Sequence, residues 1–132
     1  MTTAAATSRT APAGLVATVR VTSVLAALIV VAQGVTAGEI IVRNRAAEML
    51  HTLGAYGVHV FTGLTMIVAV LLVRRTGGRQ WPAVLAAAVF VLSFLQAALG
   101  HLGLMAVHVP LAMLLLVGSV GVALWSVTGT RG

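Results

Sequence analysis

The chain has 132 residues, of which 60% are hydrophobic and only 8% are charged, and its formal net charge is +6. Soluble domains carry about a quarter charged residues, and a chain this short buries only about two thirds of its surface on folding. Composition therefore excludes a soluble globular domain and predicts an integral membrane protein. The lack of cysteine excludes disulfides and iron–sulfur clusters. Because the basic residues form no contiguous patch, nucleic acid is not an expected partner.

Four apolar segments, each long enough to cross a hydrocarbon core about 30 Å thick, predict an all-α integral membrane four-helix bundle. They cover about residues 15–37, 50–73, 81–99 and 104–127. Short connections between consecutive segments predict an up-down-up-down topology. Residues 1–14 are expected to form a disordered cytoplasmic tail, and residues 128–132 a second, short one.

Arginine counts predict the orientation. With the N-terminus inside, only Arg43 and Arg45 lie outside, which favours a bacterial inner membrane protein with both termini in the cytoplasm. The arginines on the inner side are then Arg9, Arg20, Arg74, Arg75, Arg79 and Arg131. An alternative treats the first segment as a secretory signal cleaved after Ala37. Its length, and Gln33 within it, favour a packed membrane helix instead.

The polar residues within the spans collect towards one end of the predicted bundle. Polar side chains are costly in lipid and usually face the bundle interior, where they mark functional sites. Those at the outer end are Gln33, His51, His59, Gln96, His101 and His108. Two neutral imidazoles on facing helices are a common way to hold a haem, one on each side of the iron. The pattern therefore predicts haem b bound between the second and fourth helices, with small residues such as Gly54 and Gly100 leaving room for it.

His108 is the first choice of ligand on the fourth helix, and two residues compete on the second. His51 and His59 differ by about 12 Å in depth and by about 80° around the helix, so they cannot serve one slot equally. By depth in the membrane, we expect His59 to lie closer to His108. The local sequence favours His51, for the following reason.

Three motifs resemble the haem A synthase family, which acts in cytochrome oxidase assembly. Glu48-Met49-Leu50-His51 resembles the Glu-x-x-His signature that starts the family's second helix. Gln96-Ala97-Ala98-Leu99-Gly100 is similar to the segment that ends its third helix, and Leu104-Met105-Ala106-Val107-His108 is similar to the stretch carrying its fourth-helix histidine. The three motifs stand in the family's order, and the resemblance covers about residues 34–116.

The resemblance implies that His51 and His108 are axial haem ligands, that Gln96 lies at the haem site, and that Glu48 acts in oxidising a haem methyl group. Most members of the family have eight helices in two similar halves, and the resemblance implies that this chain corresponds to one four-helix half. Thr52 stands where the family usually has arginine after the histidine, and the family's paired loop cysteines are absent. The expected function is accordingly electron transfer, haem handling or a haem A synthase-like oxidoreductase activity.

Other functions compete with haem binding. A non-haem accessory or assembly subunit, in a homodimer or a larger membrane complex, is favoured by Gly34-x-x-x-Gly38 and other small residues that allow close helix contact. A proton path through His59 lacks an acidic relay within a span. A zinc site of Glu48, His51 and His101 matches no known metal-ligand spacing.

Overall fold

The computed structural model describes residues 11–129, and these form four helices without strands, confirming the predicted all-α four-helix membrane bundle. Helix α1 covers Ala13–Ile41, α2 Arg45–Thr76, α3 Trp81–His101 and α4 Met105–Thr128. All four are long and apolar enough to cross a membrane. The chain is therefore a small multi-pass integral membrane protein. Most of the two predicted tails, 1–10 and 130–132, lies outside the described residues.

Helix α2 begins and ends at residues with clear capping roles. Asn44 caps α2 by accepting a hydrogen bond from the backbone N–H of Ala46 (3.2 Å). Helix α2 ends at Gly77, whose left-handed φ of 66° is one that glycine adopts readily. These caps make α2 longer than its predicted span at both ends. It starts at Arg45 rather than near residue 50, which changes the depth of every residue counted along it.

The four helices form a ring in which each contacts the two neighbours in that ring. Helix α1 packs on α2 and α4, and α3 packs on the same two helices. The main core cluster draws on all four helices and consists of Val19, Val68, Ala69, Leu72, Ala83, Ala86 and Val122. Helix α1 supplies the fully buried side chain of Val19 to this core.

The two ends of the bundle differ in chemistry. At one end α1 and α3 begin and α2 and α4 finish; it carries Arg20, Arg74, Arg75 and Arg79 and is called the basic end. Trp81 and Trp125 meet edge to face there, with ring centroids 6.2 Å apart, as is typical of aromatic residues at a membrane–water interface. The opposite end carries both glutamates and His51, His101 and His108, and is called the histidine end.

Candidate functional site

His108 lies in the first turn of α4 and is held by the last turns of α3. Its Nδ1 lies 2.8 Å from the backbone oxygen of Gln96, and its Nε2 lies 3.1 Å from the side-chain nitrogen of the same residue. Since a carbonyl only accepts, Nδ1 carries the proton, and the Gln96 amide donates to Nε2. A Cβ at Gly100 would lie 2.6 Å from the His108 ring. Glycine at position 100 is therefore what allows the ring to pack against α3.

His51 lies in the second turn of α2 and is held by α1. Its Nδ1 is 2.9 Å from the hydroxyl oxygen of Thr36, and its backbone oxygen accepts a hydrogen bond from the Gln33 side chain (2.9 Å). Thr36 is also placed to donate its own proton to the helix carbonyls behind it, a common arrangement for helical threonine. The hydroxyl then accepts from His51, which leaves Nε2 of this half-buried ring with a lone pair.

His59 faces α3 and not α4. Its Nδ1 lies 2.8 Å from the hydroxyl of Ser93, which itself donates to the Phe90 carbonyl (2.7 Å). The ring stacks on Phe94 with centroids 4.1 Å apart and planes within 2°. His59 is therefore a packing and hydrogen-bonding residue of the α2–α3 interface in this structure.

His51 and His108 both lie near the histidine end, on α2 and α4, which are opposite each other in the ring and not neighbours. His51 is six residues into α2 and His108 three residues into α4, so their depths differ by about 5 Å at a rise of 1.5 Å per residue. By the same count His59 lies about two turns deeper than His51, so the helix bounds favour His51 over His59 as the residue nearer in depth to His108.

Two other residues from the sequence interpretation lie apart from these rings. Glu48 is exposed in the first turn of α2, one turn before His51, and His101 is exposed at the end of α3. Across residues 11–129, no group of three histidine or acidic side chains is placed to hold a metal ion. The zinc set of Glu48, His51 and His101 is therefore not assembled in this structure.

The small residues expected to leave room for a porphyrin instead accommodate side chains from neighbouring helices. A Cβ at Gly54 would lie 2.8 Å from the Gln33 side chain, and one at Gly63 would lie 2.9 Å from Phe90. At Gly100 the neighbour is His108 itself. A planar ligand placed beside any of these glycines must therefore displace a packed side chain.

Two hydroxyl residues of the site were missed by the sequence interpretation. Thr36 and Ser93 hold the Nδ1 atoms of His51 and His59, respectively. Spacing contained a signal for both, because Thr36 follows Gln33 by one helical turn and Ser93 precedes Gln96 by one turn. Each hydroxyl therefore falls on the face of a helix that already carried a polar residue.

The donor set is chemically suited to a bis-histidine haem. Iron-ligating histidines usually donate the other ring N–H to an oxygen, which fixes the tautomer and orients the ring. His51 and His108 have such an oxygen at Nδ1, from Thr36 and Gln96. The remaining Nε2 of His108 is occupied by the Gln96 side chain, which can rotate away. The ring nitrogens therefore suit a haem iron once that amide moves, and a porphyrin beside them additionally requires the side chains packed on Gly54, Gly63 and Gly100 to move.

Comparison of the chain with protein-family models, curated proteins and solved structures gives no significant match.

Proposed function

We propose that this small multi-pass membrane protein binds one haem b at its histidine end, between α2 and α4, through Nε2 of His51 and of His108. The observation that supports this most directly is that the two rings lie near the same end of the bundle, each with an oxygen at Nδ1. The resemblance of the surrounding motifs to haem A synthases supports the same pair.

Haem b bound there would supply reversible one-electron chemistry, and the chain's own residues would hold it and limit water access. Thr36 and the Gln96 backbone orient the two ligands, and the apolar helices form the wall. We assign the protein to electron transfer or haem handling. For a haem A synthase-like modification, Glu48 is the proposed catalytic residue because it lies one turn before His51 on the same side of α2.

The proposal includes a topology. The basic end carries four described arginines, and the histidine end carries Arg43 and Arg45 together with both glutamates. By the positive-inside rule, the basic end and both termini lie in the cytoplasm of a bacterial inner membrane. The haem would then lie near the outer surface.

The test is an absorption spectrum of the protein purified from cells supplied with a haem precursor. A Soret band and sharp bands on reduction are expected, with haem b identified from its pyridine adduct. His51→Ala and His108→Ala should each lose the low-spin bis-histidine spectrum. His101→Ala removes an exposed histidine at the same end and should leave it intact.

A colourless protein that also fails to bind haem added to the purified, folded sample would refute the proposal. A coloured protein whose spectrum is unchanged in both His51→Ala and His108→Ala would refute the ligand assignment. Circular dichroism of each variant establishes that the helices are intact, so loss of colour is not mistaken for unfolding.

A second function is favoured by one observation, the double contact between Gln96 and His108. This contact ties the α3–α4 hairpin without any ligand, as a structural histidine would. We propose as the alternative a non-haem accessory or assembly subunit that works in a homodimer or a larger membrane complex. It predicts a colourless protein in which His108→Ala lowers the stability of the hairpin, and a complex that persists on gentle solubilisation.

A further inference from the structure

Arg20 is a charged residue placed within an otherwise apolar stretch of α1. One of its terminal nitrogens donates to the backbone oxygen of Ser126 on α4 (3.2 Å), and its Nε is buried without a hydrogen-bond partner among residues 11–129. Both glutamates of the chain lie at the opposite end of the bundle. The Arg20 guanidinium therefore retains donors that no carboxylate side chain of this chain is placed to accept.

A groove runs between α1 and α4, and on α1 its lining starts at Val24, one helical turn after Arg20. It has a volume of about 280 Å³, and every residue lining it is apolar. Its walls include Val24, Ala27 and Val31 on α1 and Val120, Ala123 and Val127 on α4. Arg20 precedes Val24 by four residues and Ala27 by seven, so it lies on the same face of α1. The groove is thus an apolar surface cleft, and the guanidinium of Arg20 lies beyond its basic end.

The depth of Arg20 matches that of a lipid headgroup. Its partner Ser126 follows Trp125, which meets Trp81 at the start of α3. Tryptophans in membrane helices concentrate at the headgroup level. The cation therefore lies where lipid phosphates are found, and the groove extends from it towards the hydrocarbon core.

We propose that the α1–α4 groove binds one anionic phospholipid, with its phosphate on Arg20 and an acyl chain along the groove. Arginine matches a phosphate through several directed donors, and the lining offers nothing to a polar ligand. A second copy of the chain in the same orientation fits poorly as the occupant. It would bring its own Arg20 and basic end, and no carboxylate side chain, to this surface.

Lipid selectivity can be measured by fluorescence in reconstituted membranes of the full-length chain. Trp81→Phe leaves Trp125, beside the Arg20–Ser126 bond, as the single tryptophan. Brominated phosphatidylglycerol and brominated phosphatidylcholine, each diluted into unbrominated phosphatidylcholine, quench a tryptophan by contact. A cation near the surface contributes about 1 kcal/mol towards an anionic lipid, so about a fivefold preference for phosphatidylglycerol is expected.

Matched variants in the Trp81→Phe background identify the site. Arg20→Gln should abolish the preference, Arg20→Lys should retain part of it, and Arg79→Gln, an equal charge loss at an exposed turn, should leave it unchanged. Ala123→Leu narrows the groove without altering charge and should weaken quenching by the brominated chain. The measurement involves no haem, so its outcome is independent of the proposed function.

Two results would overturn the lipid site. Equal loss of preference in Arg20→Gln and Arg79→Gln would show a diffuse surface charge effect. If Arg20→Gln kept the preference for phosphatidylglycerol and Ala123→Leu changed the oligomeric state, another protein helix would be shown to cover the groove. Circular dichroism in the same membranes confirms that each variant is folded.

Discussion

Gln96 binds both nitrogens of the His108 ring, one through its backbone oxygen at 2.8 Å and the other through its side-chain amide at 3.1 Å. The two contacts have different consequences. The backbone contact fixes the tautomer that a metal ligand needs, whereas the side-chain contact occupies the nitrogen that would bind iron. Gln96 is therefore both an orienting residue and a competitor of the proposed cofactor.

Replacing Gln96 with alanine separates the two contacts, since the backbone oxygen remains. We expect Gln96→Ala to bind haem at least as tightly as the unchanged protein, because Nε2 of His108 is no longer occupied. Without haem, the free energy of unfolding should fall by about 0.5–1 kcal/mol, typical of a hydrogen bond between membrane helices. Haem titration and denaturant unfolding in detergent measure the two effects. Loss of haem in Gln96→Ala would instead show that the amide contacts the cofactor.

Gly100→Ala tests the position of the His108 ring without removing any functional group. The added Cβ would meet the ring at 2.6 Å, so the ring must move away from α3. We expect loss of the bis-histidine spectrum and a fall in unfolding free energy of about 1–3 kcal/mol from overpacking. Gly34→Ala is the matched control, since nothing lies within 4 Å of its added Cβ. Equal haem spectra for Gly100→Ala and Gly34→Ala would contradict the placement of the His108 ring against Gly100.

The sequence determined the architecture well because each span is uniformly apolar and long. It placed α3 within two residues of the observed helix, since Trp81 and Pro82 open it and Gly103 follows its end. Helix α2 extends beyond its predicted span at the start, because Arg45 to Met49 are mixed in polarity and the Asn44 cap extends the helix beyond the apolar run.

Side-chain partners could not be derived from the sequence. Whether His59 faces Ser93 or His108 depends on how α2 is rotated about its own axis in the bundle. The packing of Gly63 on Phe90 and of Gly54 on Gln33 helps to set that rotation. A glycine in the sequence does not reveal whether a cofactor or a neighbouring side chain fills the space beside it. Gly54 and Gly100 therefore predicted space for a porphyrin when only the sequence was considered, whereas in the structure they allow close helix packing.

His59→Ala tests the assignment of His59 to helix packing. We expect an unchanged haem spectrum, because the ring faces Ser93 and Phe94 and not α4. Stability should fall by about 1–2 kcal/mol through loss of the ring stacking and the hydrogen bond. Spectra and unfolding midpoints of His59→Ala and the exposed-site control His101→Ala provide the comparison. A spectrum lost in His59→Ala and retained in His51→Ala would make His59 the second-helix ligand.

The centre of the bundle offers a test of buried polarity. Ser119 has a buried hydroxyl with no hydrogen-bond partner among residues 11–129, and it lines a cavity of about 10 Å³ between all four helices. Ser23, Thr62 and Thr65 also line this mostly apolar cavity, and the hydroxyl of each gives its proton to a helix carbonyl. They therefore present only acceptors, and this volume is about the smallest that holds one water.

A water that donates to two of these hydroxyls and accepts from Ser119 would satisfy the buried group. We therefore expect Ser119→Ala to lower the free energy of unfolding by about 1 kcal/mol, since the water loses a partner. Denaturant unfolding of Ser119→Ala measures this, with Thr128→Ala, an exposed hydroxyl on the same helix, as the control. A stabilised Ser119→Ala protein would show instead that the cavity is dry, because removing an unpartnered hydroxyl then relieves its desolvation cost.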